Sequence, residues 1–195
     1  NPSIQGSSSF AVITDSRTAR ECRPQMTAYK QTLEAEGLPV YIVSHDWTTP
    51  EQVRDVLRKL YAENALEGCV FIAMITKAQH LTSAFKMDER DHPLHETSVP
   101  SDRFYDDFDL QFVPQGTPSQ GLFHYYEMSP DSPQYISCDI YSGRIKAQKA
   151  YGDPYKQIAR YLEKAVAEHR DATPFDQFVS YTGHGSYSNS LIAWR

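Results

Sequence analysis

Residues 40–72 read VYIVSHDWTTPEQVRDVLRKLYAENALEGCVFI, and this stretch decides the fold. It opens and closes with short apolar runs rich in β-branched residues, 40–43 and 69–72, which predict buried strands. Between the two runs, Thr49 and Gln52 form a Thr-x-x-Gln capping box around a proline at the first helical position. A strand, a helix and a strand at this spacing predict parallel pairing through a right-handed crossover.

The helix that follows Thr49 has one apolar face, which predicts that it packs on a sheet. The face consists of Val53, Val56, Leu57, Leu60 and Tyr61. Gly68 is expected to end this helical unit, and Gly37 is expected to end the helix before it.

The same alternation continues on both sides of this stretch. Residues 10–14 predict a strand, and residues 24–36 predict a helix that begins with a proline. Further along, residues 154–169 predict a helix capped by Asp153, and residues 175–181 predict a last strand. The chain is therefore expected to form an α/β domain with a mostly parallel sheet.

The middle of the chain has weak periodicity and is rich in His, Asp and Pro. We expect an irregular insertion at about 76–135, in which pieces such as 123–126 form small strands on one edge. A second extended piece, 135–141, is assigned to the same edge. Residues 1–9 predict a flexible N-terminal lead, so the domain itself is expected to cover 10–195.

Composition narrows the class of protein. The chain has 195 residues and a formal net charge of −6, and no basic run or stripe that would follow a phosphate backbone, so nucleic acid is not an expected partner. No apolar stretch approaches the roughly 20 residues that a membrane-spanning helix needs. Three widely spaced cysteines do not form a disulfide framework or a zinc motif. The first residue is Asn1 and no signal sequence follows, as expected of a processed or trimmed chain.

A histidine between two glycines follows the last predicted strand. Ligands of open parallel sheets bind beyond the carboxyl ends of strands, and His184 lies at such an end. There its imidazole can act as a general base or acid, and the Gly185 N–H can donate to a developing oxyanion. A plain glycine-rich turn is the alternative interpretation. A phosphate-binding loop would need a helix directly after it, and residues 187–190 are a poor helix start.

Residues 181–186, Tyr-Thr-Gly-His-Gly-Ser, followed by Ala-Trp at 193–194, resemble the catalytic-histidine segment of the gingipain family. Three further segments are similar to elements of the same family, and we call them the three family-like segments. They are 65–72, which contains a predicted strand, 100–105, which reads Pro-Ser-Asp-x-x-Tyr, and 142–145, which reads Ser-Gly-Arg-Ile.

The resemblance implies a caspase-like three-layer sandwich, here incomplete, and a cysteine endopeptidase that acts through a Cys–His dyad. His184 and Gly185 would be its catalytic residues, no cofactor would be required, and a protein or peptide would be the substrate. In this family the nucleophilic cysteine follows the histidine, and no cysteine follows His184 here. The cysteine would then lie beyond residue 195, in a remaining C-terminal part, or on another chain, and this chain alone would be inactive.

The resemblance further implies a bacterial protein that is secreted, periplasmic or at the cell surface. The alternative is a non-catalytic secreted binding or scaffold domain that keeps the peptidase-like fold. One departure from the family concerns the third strand, where Ile72 passes directly to Ala73 without the Gly-Asp-x-Pro-like turn that family members share. Another is the short connection at 171–174, where gingipains carry a further α/β unit.

The cysteines are interpreted without a catalytic role. Cys69 and Cys138 fall in apolar extended stretches and are expected to be small buried hydrophobic residues. Cys22 precedes a predicted helix, where a thiolate would be favoured, but nothing in the sequence connects it to His184.

Four aspartates lie close together in the insertion: Asp102, Asp106, Asp107 and Asp109. Alternate carboxylates at Asp107 and Asp109 can hold a structural Ca²⁺, although the calcium-loop pattern of helix-loop-helix proteins is absent. Alternatively, one carboxylate orients His184 or binds a basic side chain of the substrate. The third interpretation is an ordinary solvated acidic loop.

Overall fold

The fold is α/β, and its described residues form two four-stranded sheets with helices packed on the main one. The computed structural model describes residues 1–73, 83–86, 98–114 and 124–171. The main sheet contains β1 (Ser9–Thr14), β2 (Val40–Ser44), β3 (Leu66–Ala73) and β8 (Tyr141–Lys146). The small sheet contains β4 (Ser83–Lys86), β5 (Ser98–Ser101), β6 (Phe112–Pro114) and β7 (His124–Met128). The described helices are α1 (Ser16–Glu21), α2 (Arg23–Ala35), α3 (Pro50–Asn64), α4 (Arg103–Asp106) and α5 (Pro154–Asp171).

The main sheet is parallel throughout, in the order β2-β1-β3-β8. Alternate side chains of β1 enter two separate cores, as the period of a strand requires. Ala11 and Ile13 pack with α3, whereas Phe10 and Val12 pack with α2 and α5. The predicted parallel α/β sheet with helices on both faces is therefore confirmed.

The last described helix, α5, lies on the same face of the sheet as α2. Its residues Ile158 and Leu162 join the core of Val12, and the two helices contact each other. A right-handed crossover from β8 to a strand on its outer edge would need a helix on the α3 face. Helix α5 therefore closes the α2 side of the sheet and does not form a standard crossover to that edge.

Helix ends that depend on local sequence follow the predictions. Gly37 has a φ of 91°, and the N–H groups of Gly37 and Leu38 donate to the carbonyls of Glu34 and Leu33, which is the Schellman arrangement. The capping box at the start of α3 is present. Asp153 caps α5 by accepting from the backbone N–H of Tyr155 at 2.9 Å.

The predicted role of Gly68 is wrong. Helix α3 ends earlier, at Asn64, and the following Ala65 adopts the left-handed conformation with a φ of 48°. Gly68 lies inside β3, opposite Tyr141 of β8. A Cβ on Gly68 would lie 2.2 Å from the Tyr141 ring, so this glycine provides space for a neighbouring strand rather than a helix stop.

The piece 135–141, predicted as a small edge strand, is also different in the structure. Regular pairing begins only at Tyr141, where β8 joins the main sheet next to β3. The backbone N–H groups of Asp139 and Ile140 both donate to the Asp106 carbonyl, so these residues form a loop attached to α4 and not a strand. The neighbouring prediction of an extended piece at 123–126 corresponds to β7 of the small sheet.

Three further predictions stay predictions. The strand at 175–181 lies outside the described residues. The flexible lead at 1–9 and the insertion at about 76–135 stay predictions, although the lead does make contacts. The backbone N–H of Ser3 donates to the Glu34 carboxylate at 2.9 Å, and β1 begins at Ser9.

Candidate functional site

The carboxyl ends of the four parallel strands lie at one edge of the main sheet. They are Thr14, Ser44, Ala73 and Lys146. The chain moves from β1 to β2 on one side and then passes back to β3 on the other side, so the strand order reverses between β1 and β3. Ligands of open α/β sheets bind at this kind of edge. A site of the predicted type would therefore be built here.

An ion pair at this edge joins two distant parts of the sequence. Asp102 directly precedes α4, and Arg144 lies in the carboxyl half of β8. Arg144 donates to the Asp102 carboxylate through Nη2 at 2.5 Å and through Nε at 3.4 Å. The guanidinium also lies 4.7 Å from the ring centroid of Phe71 in β3. These contacts bring the three family-like segments together at one place.

Two buried polar side chains of α4 lie next to this ion pair. Tyr105 packs against the Phe71 ring at 5.1 Å, and burial raises its pKa well above the usual value. The Asp106 carboxylate accepts from Arg103 at 2.7 Å and from the Ser142 hydroxyl at 2.6 Å, yet burial raises its pKa as well. Within the described part of the chain, neither the Tyr105 hydroxyl nor Asp106 Oδ1 has a hydrogen-bond partner. Both groups therefore hold their protons more strongly than exposed counterparts.

Arg54 of α3 fixes the loop that follows α4. Its Nη2 donates to three main-chain carbonyls within 107–110, at 3.2, 3.2 and 2.7 Å. Its guanidinium lies between two aromatic rings, 5.0 Å from the centroid of Phe104 and 5.3 Å from that of Phe112. Because the side chain is buried, its pKa is lowered from the usual arginine value.

A groove of about 660 Å³ lies between α3 and the segment that follows α4. Phe104, Phe112 and Tyr126 form its aromatic part, and Glu51 and Arg58 contribute charges of both signs. The Tyr126 hydroxyl donates to the Glu51 carboxylate at 2.6 Å, which connects the small sheet to the start of α3. Phe104 and Tyr126 are themselves buried, so the groove presents the partly exposed Phe112 ring and the two charged groups to a ligand.

The two aspartates of the predicted calcium site have different surroundings. Asp107 is buried, and its carboxylate accepts from the backbone N–H of Leu110 at 3.3 Å and of Ser137 at 2.9 Å. Asp109 is exposed. Among the described residues, no group of three or more metal-ligating side chains is present. The structural Ca²⁺ at Asp107 and Asp109 stays a prediction.

Cys22 and Cys69 are buried thiols. Cys69 was expected to be buried, and burial raises its pKa. Cys22 was expected to favour a thiolate, and this expectation is wrong. Although Cys22 lies at the N-cap of α2, burial, together with the nearby carboxylates of Glu21, Asp153 and Asp15, raises its pKa to about 11.

Cys138, which was expected to be buried in a strand, is exposed in the loop before β8. Its Sγ accepts a contact from the Arg103 guanidinium, and the same guanidinium binds Asp106. The prediction was wrong because it took the apolar residues before Cys138 as buried. Tyr135 and Ile136 are in fact 68% and 67% exposed.

The predicted catalytic residues His184 and Gly185 lie outside the described residues, as does residue 195. No family model matches the chain, and neither does any curated protein or solved structure. Within the described part of the chain, no helix has the length and apolarity to cross a membrane. The contacts at the sheet edge are therefore the structural observations on which a function can be argued.

The sequence did not reveal the role of Arg54. The position of Arg54 in the helix gave a weak indication that it is buried. The buried residues of α3 share one helix face, and they are Pro50, Val53, Arg54 and Leu57. An arginine within such a stripe indicates a buried cation that needs carbonyl or carboxylate partners. The partners themselves are more than 50 residues away in sequence.

Proposed function

We propose that this chain is the histidine-bearing part of a gingipain-like cysteine endopeptidase with a caspase-like fold. One observation carries the proposal. The three family-like segments are far apart in sequence, yet the contacts of Arg144 with Asp102 and Phe71 hold them together at the carboxyl edge of a parallel sheet. Segments that resemble one family and also form one structural unit support a common origin better than separate matches do.

The reaction would be peptide-bond hydrolysis through a Cys–His dyad. A cysteine thiolate adds to the peptide carbonyl, and His184 gives a proton to the leaving amine before water hydrolyses the thioester. The Gly185 N–H would donate to the oxyanion of each tetrahedral intermediate. The nucleophile would lie beyond residue 195 or on another chain. No cofactor takes part, and Ca²⁺ at Asp107 and Asp109 would have a structural role only.

The substrate would be a protein or an extended peptide. The groove beside α3 supports this choice, since it is a concave surface of about 660 Å³ to which Glu51 and Arg58 contribute charges of both signs. The family resemblance supports a location outside the cytoplasm, where the protein would be secreted, periplasmic or at the cell surface.

A second candidate function is a non-catalytic binding or scaffold domain that keeps this fold. The three cysteines of this chain favour this second function when no other polypeptide supplies a nucleophile. Cys22 and Cys69 are buried, which raises the pKa of both thiols, and the exposed Cys138 contacts Arg103. Binding without catalysis would then use the same groove and would not depend on His184.

The test begins with the reading frame that encodes the chain. The peptidase proposal expects a predicted strand that ends in cysteine after residue 195, or a second polypeptide that supplies it. With the complete protein, His184→Ala should lower kcat/KM for peptide hydrolysis by about 10²- to 10⁴-fold, as expected for loss of a general acid–base group.

His169→Ala is the matched control. His169 lies on α5 and pairs with Glu36 at 2.7 Å, so its loss removes a histidine without touching the proposed site. Hydrolysis by this variant should equal that of the unmodified protein. If the His184 variant hydrolyses peptides as fast as the unmodified protein, the peptidase proposal is rejected. If the unmodified protein binds a peptide but does not hydrolyse it, the result supports the binding or scaffold domain.

A further inference from the structure

The first eight residues lie at the amino-terminal edge of the main sheet, opposite the edge of the candidate site. We call residues 1–8 the N-terminal strap. The strap and residues near the starts of β2 and β3 line a cavity of about 460 Å³. The strap leads directly into β1, where Ser9 donates through its hydroxyl to the Asn64 carbonyl at 2.8 Å and through its N–H to the Ala65 carbonyl at 3.0 Å. Its carboxyl end is therefore fixed to the chain that enters β3.

An ion pair of α2 fastens the strap at Ser3. Lys30 and Glu34 lie one turn apart, and their side chains are 13% and 6% exposed. The Ser3 N–H donates to Glu34 Oε1 at 2.9 Å, and the Ser3 hydroxyl accepts from Lys30 Nζ at 3.2 Å. The same Glu34 oxygen accepts from the Val40 N–H at 3.3 Å, at the start of β2. Because hydrogen bonds to a charged group are the stronger ones, this carboxylate joins the strap firmly to α2 and β2.

Gly6 allows the strap to lie close to the turn between α2 and β2. A Cβ on Gly6 would lie 2.7 Å from Pro39 Cδ and 3.1 Å from the Gly37 carbonyl oxygen. A proline ring and a main-chain carbonyl cannot move aside as the end of a flexible side chain can. Any residue other than glycine would therefore push the strap away from the sheet edge.

We propose that the N-terminal strap is a conformational device that opens and closes as a unit while the rest of the domain stays folded. Residues 1–8 are exposed or half-buried, so hydrogen bonds and close packing hold the strap rather than a core of its own. A segment held in this way opens at a lower free energy than global unfolding requires. Opening exposes the Lys30–Glu34 pair and the cavity to solvent. The device would operate whether or not the chain belongs to a peptidase.

Amide hydrogen exchange of the 195-residue chain, followed by NMR spectroscopy, measures the opening. We expect the Ser3 amide to exchange more slowly than in an unstructured peptide, yet faster than the buried Val12 amide of β1. Gly6→Ala should raise the Ser3 exchange rate about tenfold or more, because the added Cβ would overlap Pro39, while the Val12 rate stays unchanged. Glu34→Gln should also raise the Ser3 rate relative to the Val12 rate, because a neutral side chain accepts a weaker hydrogen bond.

Gly143→Ala is the matched control for Gly6→Ala. A Cβ on Gly143 would meet no described atom within 4 Å, so this variant should leave the Ser3 exchange rate as it is in the unmodified chain. A Ser3 amide that exchanges as fast as in an unstructured peptide overturns the proposal and supports a flexible lead. Equal exchange rates at Ser3 and Val12 also overturn it, because the strap would then open only when the domain unfolds. So does a Ser3 rate that neither Gly6→Ala nor Glu34→Gln changes.

Discussion

Replacing Arg54 by methionine tests the claim that this buried side chain holds the loop after α4 in place. The variant removes three hydrogen bonds to carbonyls within 107–110 and two contacts with aromatic rings, while it keeps most of the aliphatic volume. Hydrogen bonds to a charged donor contribute about 1.5–3 kcal/mol each, but a single Nη2 serves all three carbonyls. The variant also avoids the cost of burying a guanidinium, which offsets part of the lost free energy of unfolding. We expect a net loss of about 3–5 kcal/mol, because the variant leaves three main-chain carbonyls without this donor and an unsatisfied buried acceptor costs about 1–3 kcal/mol.

Urea and thermal unfolding followed by circular dichroism measure this loss. For a chain of this size each kcal/mol lowers Tm by about 2–4 °C, so Arg54→Met should lower it by roughly 10 °C. Arg58→Met is the matched control, since Arg58 lies one turn further along α3 and is exposed. If the two variants lose the same free energy of unfolding, Arg54 does not hold the loop and the reasoning is refuted.

Three other experiments test the packing around Gly68, the reactivity of the thiols and the buried carboxyl of Asp106. Gly68→Ala should lose about 1–3 kcal/mol because its Cβ would collide with the Tyr141 ring, and Tyr141→Ala should recover most of that loss in a double-mutant cycle. In the folded protein, a thiol reagent such as Ellman's reagent should modify Cys138 rapidly, whereas Cys22, with a pKa raised to about 11, should react only after unfolding. Burial raises the pKa of Asp106, so the folded state binds this proton more strongly than the unfolded state, and stability should fall as pH rises from the ordinary carboxyl pKa to the raised one. Asp106→Asn should reduce the dependence of the free energy of unfolding on pH in this range. An unchanged dependence would contradict a raised pKa of Asp106 in the folded state.

Features set by neighbours in sequence were predictable. The stop at Gly37 needs only a left-handed residue after α2, and the caps at Thr49 and Asp153 need only a side chain within three residues of a free N–H. The three-layer arrangement followed as well, because strand and helix periodicities alternate at the spacing of a parallel sheet. Local sequence therefore carries most of the information on the described helices and on β1 to β3.

Features set by distant residues were not predictable. Gly68 has the composition of a helix stop, and only the Tyr141 ring, from a strand more than 70 residues later, explains why it lies inside β3. The strand β8 contains a glycine and polar residues and shows no clean alternation, because it lies at an edge where most side chains are partly exposed. The same limit applies to the candidate site. Asp102 and Arg144 were visible as separate motifs, but their ion pair depends on the register between β3 and β8.

The central claim is that His184 belongs to a Cys–His dyad, and covalent labelling tests it most directly. The complete protein is treated with a peptidyl acyloxymethyl ketone, which alkylates an activated cysteine, and the modified peptide is identified by mass spectrometry. We predict that the modified cysteine is none of Cys22, Cys69 and Cys138, and that His184→Ala abolishes labelling while His169→Ala does not. Labelling that persists in the His184 variant, or no labelling in the unmodified protein, would contradict a Cys–His dyad that contains His184.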